Sequence, residues 1–106
     1  MSVFKPLIEL SAVPDSGFVA VEVHGKNLLV GKVNNEYFAF LDRCPHAMVP
    51  LRTGKLKGTE ITCARHGWVF DVLSGDSVPG PTPYCLRKFP VQVCKNTLQI
   101  SGLDED

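Results

Sequence analysis

Short apolar runs, each cut off by turn-forming residues before it reaches helical length, set the tightest limit on how this chain can fold. Val19, Val21 and Val23 alternate with Ala20 and Glu22, the period of a strand with one buried face. His24-Gly25-Lys26-Asn27 reads as a turn and Leu28 to Val33 as the returning strand. Asn34-Asn35-Glu36 makes a second turn ahead of the aromatic run Tyr37-Phe38-Ala39-Phe40-Leu41. Near the C-terminus, Val91-Gln92-Val93 and Leu98-Gln99-Ile100 flank Lys95-Asn96-Thr97 as a further hairpin. No stretch has helical periodicity, and eight prolines and nine glycines spread along the chain favour turns. The expected fold class is all-β, a small antiparallel sandwich or barrel.

The middle differs from both ends. From Asp42 to about Tyr84 the strand-like runs shorten, and loops rich in Pro, Gly, Cys and His take over. The ends read as a β base and residues 42–84 as an insertion mounted on it. A length of 106 residues fits a single domain, 1–106. Eleven Lys and Arg balance eleven Asp and Glu, so overall charge makes no case for nucleic acid or an anionic membrane as partner. No apolar run approaches the roughly 18 residues of a membrane-spanning helix. Lys5, Pro6 and Glu9 interrupt the N-terminal segment, which therefore lacks the apolar core of a signal peptide, and a cytoplasmic location is expected. The acidic end Asp104-Glu105-Asp106 reads as a frayed, solvated tail.

Four cysteines, Cys44, Cys63, Cys85 and Cys94, would suggest disulfides in a secreted chain; without a secretion signal, metal binding or thiols fit better. Two segments stand out: Cys44-Pro45-His46 and Cys63-Ala64-Arg65-His66, with sixteen residues between His46 and Cys63. Each begins where a strand-like run ends, Tyr37 to Leu41 for one and Glu60 to Thr62 for the other, which places one thiol and one imidazole on each of two loop tips. Zinc accepts such a donor set, but zinc fingers commonly pair like with like. A binuclear iron–sulfur cluster can take two thiolates on one iron and two imidazoles on the other. The remaining alternative is a pair of loops with incidental cysteines and satisfied histidines.

Cys44-x-His46 with Cys63-x-x-His66 resembles the Rieske motif, and Gly67-Trp68-Val69-Phe70-Asp71 after the second pair adds to the likeness. Leu51-Arg52-Thr53-Gly54-Lys55-Leu56-Lys57-Gly58 resembles the family's connecting segment, and Gly80-Pro81-Thr82-Pro83 its proline-rich third loop. The resemblance runs over about residues 18–100, and the short chain is similar to the Rieske ferredoxins that serve bacterial aromatic-ring dioxygenases or related monooxygenases. It implies a Rieske-like antiparallel β-sandwich carrying a small cluster-binding subdomain on two loops, and one [2Fe–2S] cluster per chain. It implies Cys44 and Cys63 as ligands of the buried iron and His46 and His66 as ligands of the outer iron. As a function it implies single-electron transfer from an NAD(P)H-dependent reductase to a terminal oxygenase in aromatic hydrocarbon catabolism, by a monomer that is not itself an enzyme. An alternative is a Rieske-like small subunit of a nitrite reductase or other multicomponent redox complex.

High-potential members of the family carry an extra cysteine in each loop, paired as a disulfide; Val49 and Arg65 stand at those positions here. Those members also place a serine and a tyrosine after the second loop as donors to sulfur, where this chain has Trp68 and Phe70. Donors aimed at the sulfurs favour the reduced, more negative state, so their loss points to the low end of a range of roughly −150 to +300 mV. Two ferric ions, two sulfides, two thiolates and two neutral imidazoles sum to zero charge, and reduction takes the centre only to −1. An all-cysteine cluster would go from −2 to −3, which is harder in a partly dry site.

Arg43, Arg52 and Arg65 read as solvated charge or as a basic rim that steers an acidic partner. Trp68 reads as a packing aromatic, Cys85 as a small buried hydrophobe, Cys94 as a thiol at a strand end and His24 as a solvated turn residue. A terminal oxygenase would need a further iron held by two histidines and a carboxylate, and only His24 remains for it.

Overall fold

A computed structural model describes residues 3–45, 49–65, 67–78, 80, 82 and 84–103. His46, His66, Pro81, Pro83 and the 104–106 tail lie outside the described residues. The described chain forms ten strands and one 3₁₀ turn, Leu10–Ala12: β1 (Lys5–Glu9), β2 (Gly17–Val23), β3 (Lys26–Val33), β4 (Glu36–Leu41), β5 (Lys55–Lys57), β6 (Glu60–Thr62), β7 (Val69–Asp71), β8 (Ser77–Val78), β9 (Val91–Cys94) and β10 (Thr97–Ile100). All pairings are antiparallel and make three sheets, ordered β1-β10-β9, β2-β3-β4 and β5-β6-β7-β8.

The hairpins expected from alternation are present, with tighter turns. β2 joins β3 through His24-Gly25 alone, and β3 joins β4 through Asn34-Asn35. All four of these residues have positive φ, at 52°, 75°, 53° and 64°, the backbone of the primed turns that match strand twist. Lys26, Asn27 and Glu36, expected in turns, pair in the ladders instead. β1 was not legible as a strand: Lys5 and Pro6 break the apolar run, and its pairing with β10 shifts register between Pro6 and Ile8.

The middle sheet divides two hydrophobic cores. On β3, Leu28 and Val30 face one core with Val13, Ala39, Phe89, Leu98, Ile100 and Leu103. Leu29 and Val33, on its other face, join Phe38, Phe40, Cys44, Leu51, Ile61, Cys63, Phe70, Val72 and Leu86. A strand buried on both sides reads as a continuous apolar run, which is why Leu28-Leu29-Val30 does not alternate. Gly31 is required on this strand because a methyl there would overlap the Gly17 carbonyl and the Phe38 ring.

Segment 85–90 stitches the outer sheet to the middle one. Cys85 bridges Asp76 and the Leu86 N–H donates to the Gly75 carbonyl at 2.8 Å. Further on, Lys88 bridges Phe40, the Leu41 N–H donates to Arg87, and the Phe89 N–H donates to Ala39, both at 2.9 Å. Burying Leu86 and Phe89 from this segment turns Cys85 outward, so Cys85 is an exposed thiol and not the buried hydrophobe expected.

Candidate metal centre

Strand ends position both cysteines. β4 runs into Asp42, Arg43 and Cys44, and β6 into Cys63, so the thiols leave two different sheets and enter the same apolar core at 0% and 1% exposure. The two loops close alike. The Cys44 N–H donates to the Val49 carbonyl, and the Cys63 N–H to the Trp68 carbonyl, each at 2.7 Å. Each cysteine thus opens a loop shut by a bond to the residue five positions on. Gly67, at φ 73°, returns its N–H to the Cys63 carbonyl at 2.9 Å. Cys44, Cys63, Cys85 and Cys94 are all thiols, the first two buried and the last two exposed.

Asp42 fastens the first loop at its base, which the sequence reading missed. Its side chain has no solvent exposure and its Oδ1 accepts the Leu51 N–H at 2.7 Å and the Arg52 N–H at 2.9 Å. Its Oδ2 takes the Arg52 Nε at 2.6 Å, the Arg52 side chain remaining 46% exposed. Arg52 is therefore partly engaged as a structural ion pair rather than simply solvated. The only advance signal was an acidic residue at a strand end with an arginine ten positions on. The Gly54 N–H then bonds the Leu51 carbonyl at 2.8 Å, and a methyl on Gly54 would overlap the Thr62 carbonyl, so glycine lets the first loop's stem lie against the strand that presents Cys63.

Trp68 and Phe70 follow the second loop. Phe70 is fully buried, while Trp68 stacks on it at 6.1 Å and meets the Tyr84 ring edge-on at 5.4 Å, the packing role expected of Trp68. Ser77, 4% exposed, donates to the Gly80 carbonyl at 2.9 Å and bonds the Thr82 hydroxyl at 3.0 Å, tying the described part of the third loop to β8. Below the site, Asp71 caps a turn by accepting the Leu73 and Ser74 N–H groups at 2.8 and 3.0 Å and the Thr59 hydroxyl at 3.1 Å. Partial burial raises its pKa, but these bonds and the nearby Lys88 outweigh that and hold it below the ordinary carboxylate value. Arg43 and Arg65 are exposed, as is His24 on its turn, and Val49 packs partly buried against the core.

A profile of the Rieske [2Fe–2S] domain matches residues 4–90. The chain belongs to the Rieske [2Fe–2S] family. Among its relatives is the ferredoxin component of the naphthalene 1,2-dioxygenase/salicylate 5-hydroxylase systems of a Ralstonia species, 31% identical over 79% of this chain and 81% of that one. The solved ferredoxin of Sphingomonas yanoikuyae B1 superposes with a TM-score of 0.81 at 28% identity, over 94% of this chain and 99% of that one. A ferredoxin solved in complex with the oxygenase of carbazole 1,9a-dioxygenase matches with a TM-score of 0.81 at 27% identity, over 94% of each chain. The terminal oxygenase of carbazole 1,9a-dioxygenase from Nocardioides aromaticivorans shares the fold at a TM-score of 0.77 and 25% identity over 92% of this chain, which spans only 29% of that oxygenase.

The Rieske domain carries a [2Fe–2S] cluster, and this chain is an electron-transfer component, not an enzyme, as its ferredoxin relatives are. The residues present fit the group. Two thiols brought from separate sheets into one apolar core are the soft, buried half of a mixed sulfur–nitrogen donor set. Among the described residues no three His, Cys, Asp or Glu side chains come together, and both histidines of the motif lie outside that set. No helix among the described residues is long and apolar enough to cross a membrane.

Proposed function

We propose that this Rieske chain is a single domain that holds one cluster through Cys44 and Cys63 on the buried iron and His46 and His66 on the outer iron. The observation that carries this is the matched pair of loops: each cysteine opens a ring closed by a 2.7 Å bond to the residue five positions on, and each histidine lies within that span of sequence. When bound, the cluster supplies a one-electron couple. The chain's residues hold it still. The Asp42 carboxylate and Gly54 set the height of the first loop against β6, and the Trp68 carbonyl fixes the Cys63 backbone. Phe38, Phe40, Leu51, Ile61 and Phe70 keep water from the thiol side. With the thiol side dry, the electron would leave by way of the two histidine ligands.

Electrons pass, on this reading, from an NAD(P)H-dependent reductase to a terminal oxygenase in the cytoplasm, with the chain acting as a monomer at low potential. The relatives support it: one is named as a ferredoxin component of dioxygenase systems, and a structural neighbour was solved with its oxygenase. The test combines the purified protein with an NAD(P)H-dependent ferredoxin reductase and a terminal aromatic-ring oxygenase. Substrate-dependent NAD(P)H oxidation and hydroxylated product require all three proteins. Copurification in a fixed complex with a nitrite reductase or another multicomponent redox enzyme, and no support of any oxygenase, would overturn it.

A further inference from the structure

The charge on this chain is balanced in sum but not in place. Residues 42–88 contain seven Lys and Arg (43, 52, 55, 57, 65, 87, 88) and four Asp and Glu (42, 60, 71, 76), a net of 7 − 4 = +3. The rest of the chain holds four basic and seven acidic residues, a net of −3, and three of those acids are in the 104–106 tail. Two of the four local carboxylates are already paired or hydrogen-bonded within the chain. Asp42 is buried under the first loop against Arg52, and Asp71 is spent on its own turn. Glu60 faces Lys57 across the β5–β6 ladder, and Asp76 lies at the bridge to Cys85. Lys55 faces only Thr62 in the same ladder, and Arg65 is exposed within the second loop itself.

These cations border two adjoining grooves at the mouth of the site. One, about 710 Å³, runs along Thr53, Lys55, Leu56, Lys57, Thr62, Cys63, Ala64 and Gly67. The other, about 310 Å³, lies between Val49, Pro50 and Thr53 of the first loop and Ala64 and Arg65 of the second. They share Thr53 and Ala64, so a partner surface seated there spans both loops, with Cys63 on the groove wall, Lys55 at one end and Arg65 at the other.

We propose that this groove pair is the docking surface for a carboxylate-bearing face of the redox partner, with Lys55 and Arg65 as its specificity-determining cations. The proposal rests on the electron-transfer reading and adds to it the sign and place of the contact. An apolar floor with a charged rim suits transient association, in which charges speed and orient the encounter more than they add affinity.

Two small probes test it without the natural partner. The cluster-loaded, reduced protein gives one electron to ferricyanide, which becomes ferrocyanide as the cluster returns to its oxidised form; hexaamminecobalt(III) accepts one electron likewise. A near-neutral chain with a reduced centre at −1 should repel ferricyanide as a whole, so its rate would rise with salt. A locally positive exit predicts the opposite: the ferricyanide rate falls about threefold or more as ionic strength rises from 0.01 to 0.15 M and the screening length drops from about 30 to 8 Å. The hexaamminecobalt rate stays level or rises. Lys55→Glu and Arg65→Glu each reduce or reverse the ferricyanide slope, while Lys95→Glu, on the exposed β9–β10 turn, leaves it as in the parent. Fluorescein-labelled deca-glutamate, followed by anisotropy, binds the parent about threefold or more tightly than either site variant at low salt. A ferricyanide rate that rises with salt, an equal effect of Lys95→Glu, or binding to phosphatidylglycerol vesicles but not to deca-glutamate would overturn the proposal. A protein without the cluster's visible spectrum would instead fail the functional reading, and the two failures are told apart before any rate is measured.

Discussion

Asp42→Ala should be among the costliest single changes outside the ligands, and the geometry says by how much. The carboxylate has no solvent exposure and accepts three hydrogen bonds, two of them from backbone N–H groups at the far end of the loop that starts at Cys44. A hydrogen bond to a charged group contributes about 1.5–3 kcal/mol, and a buried donor left without an acceptor costs about 1–3. The Leu51 N–H is buried and loses in full; the Arg52 N–H is partly buried and recovers some of its loss from water. The ion pair counts for less than about 1 kcal/mol because the arginine is half exposed. Asp42→Ala then costs about 3–4 kcal/mol, Asp42→Asn about 1–2, and Arg52→Ala under about 1. Near 4 °C per kcal/mol for a domain of this size, Asp42→Ala lowers Tm by about 12–16 °C. Cluster loss makes unfolding irreversible, so the assay is thermal unfolding at one fixed scan rate, followed by far-ultraviolet dichroism and cluster absorbance together. An Arg52→Ala variant as unstable as Asp42→Ala would show that the ion pair, not the backbone clamp, holds the loop. A loss below about 1 kcal/mol for Asp42→Ala would refute the clamp itself.

Purified protein should carry about two irons and two acid-labile sulfides per chain, and Cys44→Ser or Cys63→Ser should abolish the cluster while the exposed Cys85→Ser and Cys94→Ser keep its full spectrum; a cluster lost with Cys85 would refute the ligand assignment. The reduced form should have an average EPR g value below that of all-cysteine [2Fe–2S] clusters, and film voltammetry at pH 7 should give a potential below about 0 mV, because Trp68 and Phe70 offer no hydroxyl to sulfur. Gly54→Ala should disturb the cluster's visible dichroism, since the methyl drives the first loop's stem off the Thr62 carbonyl; an unchanged spectrum with full iron content would count against that contact. Asp71, held below its ordinary pKa when folded, contributes stability that is present above the unfolded carboxylate value and lost as pH falls through the folded one. The Tm gap between parent and Asp71→Asn should therefore be widest at neutral pH and close below about pH 4; a gap that widens in acid would refute the sign.

The C-terminal β9–β10 hairpin and the β2–β3–β4 meander could be read from the sequence because alternation and turn chemistry are local. His24-Gly25 and Asn34-Asn35 carry their conformational preference with them wherever they are placed. The cluster motif was legible for a similar reason: thiol and imidazole at fixed short spacing are properties of single loops, and the likeness to the Rieske motif followed from them. What the sequence could not decide was which distant residues meet. The Asp42 clamp on Leu51 and Arg52, the fit of Gly54 under the Thr62 carbonyl and the partition of two cores by β3 all depend on contacts between segments. The misreading of Cys85 has the same origin. A cysteine's average preference is for burial, but the segment from Leu86 to Phe89 lies along β4 with those two side chains inward, and that pairing leaves Cys85 facing water. Intrinsic propensity and donor chemistry belong to the residue; burial, charge placement and loop anchoring belong to the packing, because each is set by what arrives from elsewhere in the chain.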